Sequence, residues 1–131
     1  GTLGGLNQAA RDVVRILDAF GKDIILIETV GVGQDEIEVV KAADLVMVVC
    51  VPGQGDGIQA IKAGIMEIAD FFIINKADMQ GADAVMADIL GMLALSGEKD
   101  QPVPPVLKTS AMKNEGIKEL VSMLLELLRP F

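Results

Sequence analysis

The chain has 131 residues, and 51% of them are hydrophobic, which suits one globular domain with a substantial buried core. Acidic residues outnumber basic ones by 19 to 11, and the net charge of −8 argues against nucleic-acid binding, whose affinity comes from cationic side chains that neutralise phosphates. One cysteine and no histidine exclude a disulfide framework, a Cys/His zinc site and histidine-based catalysis. No apolar run reaches the roughly 18 residues of a membrane span, so no membrane partner is expected.

Apolar residues alternate along the chain between helical spacing and short continuous runs. Residues 6–20 predict a helix that ends at Gly21. The run at 24–27 predicts a first strand buried on both faces. Residues 36–43 predict a short helix, and residues 45–51 predict a second buried strand.

The second half of the chain continues this alternation. Residues 58–69 and 82–95 predict helices, and a third strand lies between them at 71–74. After a loop at 96–105 come a fourth strand at 106–109 and a last helix, with Asn114 as N-cap and a stop at Pro130. Strands separated by helices predict an α/β fold with a mainly parallel sheet flanked by helices. Because such sheets bind ligands beyond the carboxyl ends of their strands, the residues after each strand are the most informative ones.

The motif E-T-V-G-V-G-Q at residues 28–34 follows the first predicted strand. Glu28 is suited to hold Mg²⁺ directly or through water, and Gly31 can bring its backbone N–H close to a phosphate. A glycine-rich turn with a solvent-facing glutamate would explain the same residues. A dinucleotide fingerprint does not fit, because the third glycine position is Glu36.

The segment P-G-Q-G-D-G at residues 52–57 follows the second predicted strand. Three alternating glycines make a loop that can change shape at low energetic cost, beside the expected site. An ordinary flexible connection between strand and helix would have the same composition.

The segment N-K-A-D at residues 75–78 follows the third predicted strand and fits the pattern N-K-x-D. The Asp78 carboxylate can accept two parallel hydrogen bonds, which guanine offers from N1–H and its exocyclic amine. Adenine lacks this pair of donors, so the pattern favours guanine over adenine. Asn75 can brace the neighbouring loops, and the aliphatic stem of Lys76 can lie against the base. A solvated turn is the alternative interpretation.

Ser110 and Ala111 follow the fourth predicted strand. Small residues there allow backbone N–H groups to approach a carbonyl oxygen such as guanine O6. The separation in sequence between Asp78 and Ser110 leaves room for one helix, one loop and one strand between the two motifs. Alone, Ser110 and Ala111 would indicate a helix-capping turn.

These motifs together closely resemble the MeaB/ArgK-type P-loop GTPases, the family that includes the methylmalonic aciduria type A protein. The resemblance covers nearly the whole chain and is densest over residues 1–78. Its most specific element is the run at 28–34, because ordinary small GTPases carry D-x-x-G there.

The resemblance implies roles for individual residues. Glu28 takes the Mg²⁺-associated acidic role, Gly31 senses the γ-phosphate, and Gln34 is a candidate for orienting the hydrolytic water. The guanine-binding residues are Asn75, Lys76, Asp78, Ser110 and Ala111. The mobile loop that communicates with the partner protein contributes Gln54, Asp56, Gln59 and Lys62.

The same resemblance implies a GTP-hydrolysing metallochaperone that uses GTP/GDP and Mg²⁺. It would gate cofactor loading or protection of a cobalamin-dependent acyl-CoA mutase, as a homodimer in the cytoplasm or, in a eukaryote, the mitochondrial matrix. A non-catalytic interaction module of the same fold is the alternative function. An ATP-dependent partitioning-type enzyme is disfavoured by Asp78, which suits guanine.

The chain departs from the family pattern at the phosphate cradle. No G-x-x-x-x-G-K-[ST] motif is present, and the one Gly-Lys step, at Gly21 and Lys22, has no suitable preceding glycine. The resemblance therefore implies that residues 1–131 are one G domain, a P-loop NTPase core of the SIMIBI type incomplete at its N-terminus. Its P-loop portion and C-terminal dimerisation arm would be missing, and we expect the chain alone to be inactive as a GTPase.

Overall fold

The computed structural model describes residues 3–29, 37–38, 42–53, 64–97 and 99–129. Two compact units make up the chain, one over residues 1–44 and one over residues 45–131. Among the described residues, no helix is both long enough and apolar enough to cross a bilayer.

Helix α1 spans Leu3–Ala19 in the first unit. It ends at Gly21, whose φ of 82° lies in the left-handed region that glycine adopts without steric cost. The N–H of Gly21 donates to the Asp18 carbonyl at 2.9 Å, and the N–H of Lys22 donates to the Leu17 carbonyl at 3.2 Å. This pair of bonds is a Schellman motif, so the predicted stop at Gly21 is confirmed.

The predicted strand at residues 24–27 is wrong, because the structure has no regular secondary structure there. Ile24 and Leu26 are 53% and 84% exposed, whereas Ile25 and Ile27 are half-buried. This alternation is that of an extended chain with one covered face. An apolar run indicates a preference for extended backbone, but a strand also requires a ladder partner, and these residues belong to no ladder.

The second unit contains a sheet of three parallel strands in the order β1-β2-β3. Strand β1 is Met47–Cys50, β2 is Phe71–Ile74 and β3 is Val106–Lys108. Within this unit all three predicted strands are present, and the α/β class with a parallel sheet is confirmed. The register aligns Cys50 with Ile74, and Ile74 with Lys108, so the carboxyl ends of the three strands are level.

Two predicted helices lie only partly among the described residues. Ile37 and Glu38 are helical, and residues 42–45 form a turn with bends. Helix α2 spans Ile65–Ile68, the end of the helix predicted over 58–69. Residues 39–41 and 54–63 lie outside the described part of the chain.

The core of the second unit is built around β2. Its four side chains are at most 2% exposed, as expected for a central parallel strand covered on both faces. Helix α3, Ala82–Ser96, contacts β2 and buries side chains at helical spacing. The buried residues of α3 are Ala82, Val85, Ile89 and Leu93.

Helix α4 spans Ile117–Leu127 and begins later than predicted. Its N-cap is Gly116, and Asn114 instead adopts a left-handed conformation with φ of 55°. Asn114 does not cap the helix because it lies in a turn that Ser110 and Glu115 close with two backbone hydrogen bonds of 2.9 and 3.0 Å. Gly116 has φ of +74°, and a Cβ there would collide with the Lys108 carbonyl oxygen.

We expect Gly116→Ala to destabilise the fold by roughly 2 kcal/mol or more. The alanine would have to adopt a left-handed backbone conformation, and its Cβ would collide with the Lys108 carbonyl oxygen. Gly91→Ala is the matched control, since a Cβ at Gly91 meets nothing within 4 Å on α3. Removing a helical glycine there should stabilise by roughly 0.5–1 kcal/mol. Chemical denaturation monitored by circular dichroism measures both changes. Equal stability of the two variants would contradict the tight approach at Gly116.

A second test concerns the face that α3 presents to β2. Ile89 is 0% exposed and its neighbour Leu90 is 45% exposed. Ile89→Ala should cost about 2–5 kcal/mol of unfolding free energy, because it leaves a cavity in the core. Leu90→Ala, the control, should cost far less in the same denaturation experiment. A larger loss at Leu90 would mean that α3 packs through its other face.

Candidate functional site

The β2–β3 register brings two loops side by side at the carboxyl end of the sheet. The Thr109 N–H donates to the Ile74 carbonyl at 2.9 Å, and the Ala77 N–H donates to the Thr109 carbonyl at 2.9 Å. The Asn75 N–H donates to the Cys50 carbonyl at 2.9 Å and ties the same loop to β1. The predicted segments at 75–78 and 109–111 are therefore one continuous site.

Asn75 joins the two loops through its side chain. Its Oδ1 accepts a hydrogen bond from the Thr109 hydroxyl at 3.1 Å and another from the Ala111 N–H at 3.1 Å. Thr109 is 3% exposed, so this contact is largely shielded from water. Because Oδ1 takes both bonds, the amide NH₂ of Asn75 is the group directed away from them, where it can donate to a ligand.

Asp78 is held by the loop that follows β3. Its Oδ1 accepts a hydrogen bond from the Ser110 hydroxyl at 2.9 Å, and its Oδ2 lies 3.8 Å from Lys113 Nζ. Ser110 is only 2% exposed, whereas the Asp78 side chain keeps 26% of its surface accessible. The carboxylate is thus oriented from within the protein and still reachable from solvent.

The surroundings of Asp78 favour its ionised form. The Ser110 hydroxyl, and next the backbone N–H of Asp78 itself, lower the pKa of this carboxyl below its ordinary value. Partial desolvation raises the pKa but is outweighed, and the Lys113 charge lowers it further. At neutral pH the site therefore presents a carboxylate, which has about four lone-pair positions and accepts hydrogen bonds only.

Lys76 adopts a left-handed conformation, with φ of 56°. The Met79 N–H closes this turn on the Lys76 carbonyl at 2.9 Å. Such a conformation costs a non-glycine residue roughly 1–3 kcal/mol and is concentrated at functional sites. Asn75 and Asp78 flank this residue, and both contact the segment that follows β3, whereas Lys76 is exposed.

Of the remaining predicted site residues, the structure describes Glu28. Glu28 is exposed and lies in the irregular stretch that follows α1, not at the end of a strand. The others lie outside the described residues: Gly31, Gln34, Gln54, Asp56, Gln59 and Lys62.

The described residues contain no group of three acidic or cysteine side chains that could hold a metal ion. Mg²⁺ in nucleotide sites is bound by one or two carboxylates together with waters and phosphates. Glu28, a single exposed carboxylate, fits the protein's part of such a donor set.

The structure adds two residues that the sequence analysis missed. Thr109 anchors Asn75, and it could have been found as the polar residue that ends a predicted strand directly before Ser110. Lys113 reaches Asp78 from a turn whose geometry no short motif reveals.

The comparisons with known proteins agree on one family. The family model described as methylmalonyl Co-A mutase-associated GTPase MeaB matches residues 1–129. GTPase ArgK of Escherichia coli is 38% identical over 92% of this chain and 38% of its own length. A GTPase candidate of Pyrococcus abyssi is 54% identical over the same shares of the two chains. The mouse methylmalonic aciduria type A homolog, named as mitochondrial, is 38% identical over 92% of this chain and 30% of its own.

The chain thus spans less than two fifths of the length of each of these relatives. The family match covers both the irregular 24–29 segment of the first unit and the whole sheet of the second. The chain belongs to the MeaB family of GTPases.

Proposed function

We propose that the loops at 75–78 and 109–113 bind the guanine base of GTP and GDP. The observation that carries this proposal is the ionised Asp78 carboxylate, oriented by the buried Ser110 hydroxyl and partly open to solvent. Guanine brings two parallel N–H donors to such a carboxylate. Adenine has no matching pair, so its binding would leave the ligand-facing lone pairs of the carboxylate without donors and would be disfavoured.

The neighbouring groups complement the rest of the base. The Asn75 amide NH₂ can donate to the ring edge, while its Oδ1 stays bound to Thr109 and Ala111. The turn at Ala111 is exposed and carries a small side chain, which leaves room for the base oxygen. The stem of Lys76 supplies an apolar surface for one face of the ring.

For the reaction, we propose hydrolysis of the γ-phosphate of GTP. Bound Mg²⁺ would neutralise charge on the transferring phosphoryl group, and Glu28 is the residue proposed to hold it, directly or through water. Gly31 is proposed to sense the γ-phosphate and Gln34 to orient the attacking water. Since this sequence has no G-x-x-x-x-G-K-[ST] motif, the phosphate cradle would come from sequence outside these 131 residues.

For the biological role, we propose a metallochaperone that gates cofactor loading or protection of a cobalamin-dependent acyl-CoA mutase, acting as a homodimer. The name of the matching family model, which associates its members with methylmalonyl Co-A mutase, supports this choice. The loop with Gln54, Asp56, Gln59 and Lys62 is the proposed contact with the mutase. The proposed location is the cytoplasm, or the mitochondrial matrix in a eukaryote.

Asp78→Asn should lower the affinity for GDP roughly 30- to 150-fold, with ADP affinity unchanged. The amide places an NH₂ group against one of the two guanine donors, so a hydrogen bond to a charged acceptor is replaced by a contact between two donors, and the expected loss is of the size of that bond. The measurement is titration calorimetry of the full-length protein with GDP and with ADP. The variant should also gain affinity for xanthosine diphosphate, because xanthine carries a carbonyl oxygen where guanine has its exocyclic amine, and this oxygen can accept a hydrogen bond from the new amide.

Asp88→Asn is the control for that experiment, because Asp88 is an exposed carboxylate on α3 outside the site. It should bind GDP like the wild type. Equal affinity of the wild type for GDP and ADP would overturn the guanine assignment and favour a non-catalytic interaction module of the same fold.

Ser110→Ala should raise the pKa of the Asp78 carboxyl, because the hydroxyl is the largest cause of its lowered value. A carboxyl group whose pKa is lower in the folded protein than in the unfolded chain stabilises the fold at pH values above its unfolded pKa, which is about 3.9 for Asp. This stabilisation is lost as the pH falls through the pKa of the folded state. The wild type should therefore exceed the variant in stability at neutral pH, and the difference should shrink as the solution is acidified. A carbon-detected NMR titration of Asp78 and denaturation at several pH values test this, with Ser122→Ala as control. Identical Asp78 titrations would contradict it.

A further inference from the structure

Lys113 lies in the turn that follows the predicted guanine-binding residues. The Asn114 N–H donates to the Ala111 carbonyl at 3.4 Å, and the Ser110–Glu115 backbone pair closes the turn below it. Left-handed conformations at Asn114 and Gly116 fix the direction of the chain on leaving the turn. The position of Lys113 is therefore set by the backbone and not by its own side-chain contacts.

The side chain of Lys113 faces Asp78 without using up its acceptor positions. The Nζ–Oδ2 distance of 3.8 Å is within ion-pair range but beyond the roughly 2.7–2.9 Å of a charged hydrogen bond. With Oδ1 bound to Ser110 and Oδ2 only near the ammonium, both oxygens keep lone pairs for two incoming donors. The Lys113 side chain is 58% exposed, so it can adjust when a ligand arrives.

Lys113 also acts on Asp78 through the main chain. Its N–H donates to the Ser110 hydroxyl oxygen at 3.4 Å. A hydroxyl that accepts there directs its own hydrogen elsewhere, and the Asp78 Oδ1 is the acceptor it reaches. The same residue thus orients one carboxylate oxygen through Ser110 and faces the other with a positive charge.

We propose that Lys113 is a positioning residue for guanine recognition, which fixes the Asp78 carboxylate before the base binds and compensates its charge when the base covers it. This inference depends on the proposed guanine-binding function. A base that donates its two N–H groups to Asp78 displaces water from the carboxylate, and a cation at ion-pair distance offsets part of that desolvation cost. Truncating the side chain should therefore weaken guanine binding while leaving adenine binding unchanged.

The test compares Lys113→Met with Lys113→Arg in the full-length protein, using GDP and ADP in titration calorimetry. Lys113→Met should lower the affinity for GDP roughly two- to fivefold, which is the contribution expected of a partly exposed ion pair. Lys113→Arg keeps the positive charge and should retain most of the wild-type affinity. The deficit should shrink between about 0.1 M and about 1 M salt, because salt screens the pair. Lys118→Met, which removes an exposed lysine from α4, should match the wild type.

A double-mutant cycle separates positioning from a general effect on the loop. In an Asp78→Asn background, Lys113→Met should change GDP affinity by less than half as much as in the wild type. An unchanged or increased GDP affinity in Lys113→Met alone would overturn the inference, as would an equal loss in both backgrounds. A wild type that does not prefer GDP to ADP would overturn the guanine assignment itself, an outcome distinct from these.

Discussion

The parallel register between β2 and β3 is the constraint from which the candidate site follows. Ile74 pairs with Lys108, so the first residues beyond each strand, Asn75 and Thr109, begin at the same level of the sheet. Every side chain of β2 is buried. A shift of β2 by one residue would move each of these side chains to the opposite face of the sheet, so the packing of the core strongly opposes it. The core therefore fixes the relative position of two loops that lie far apart in sequence, and the side-chain bonds between them refine it.

Within that frame, hydrogen bonds from the protein itself orient the side chains of Asn75 and Asp78. Lys76, Asn114 and Gly116 all occupy the left-handed region, and the cost at the two non-glycine residues is offset by the bonds that their turns make. The donors that orient these two side chains from inside are the backbone N–H of Ala111 and the buried hydroxyl groups of Thr109 and Ser110. Side chains that are already oriented lose less conformational entropy on binding, so more of the hydrogen-bond free energy contributes to affinity and selectivity.

The sequence predicted those parts of the fold in which local composition and long-range packing agree. Strand β2 and the stop at Gly21 were of this kind: the apolar run of β2 is buried and is paired with a strand on each edge, and Gly21 ends its helix in a Schellman motif. The strand at 24–27 failed because composition records burial preference and not the presence of a ladder partner. The prediction of Asn114 as N-cap failed because Ser110 and Glu115 pair through their backbones, and no local signal reveals this pairing. The N-cap is Gly116 instead. The contact of Lys113 with Asp78 was missed for the same reason.

The location of these contacts also bears on how the protein would couple base binding to chemistry. The contacts that the structure describes for the Asn75 and Asp78 side chains lie in the second unit, between the ends of its strands and the turn before α4. Glu28 and Gly31, to which the proposal gives metal and phosphate roles, belong to the first unit. The proposal therefore assigns base recognition to the second unit and the metal and phosphate roles to the first. Under that proposal, the guanine contacts alone set which nucleotide binds, because their pattern of donors and acceptors matches guanine and not adenine.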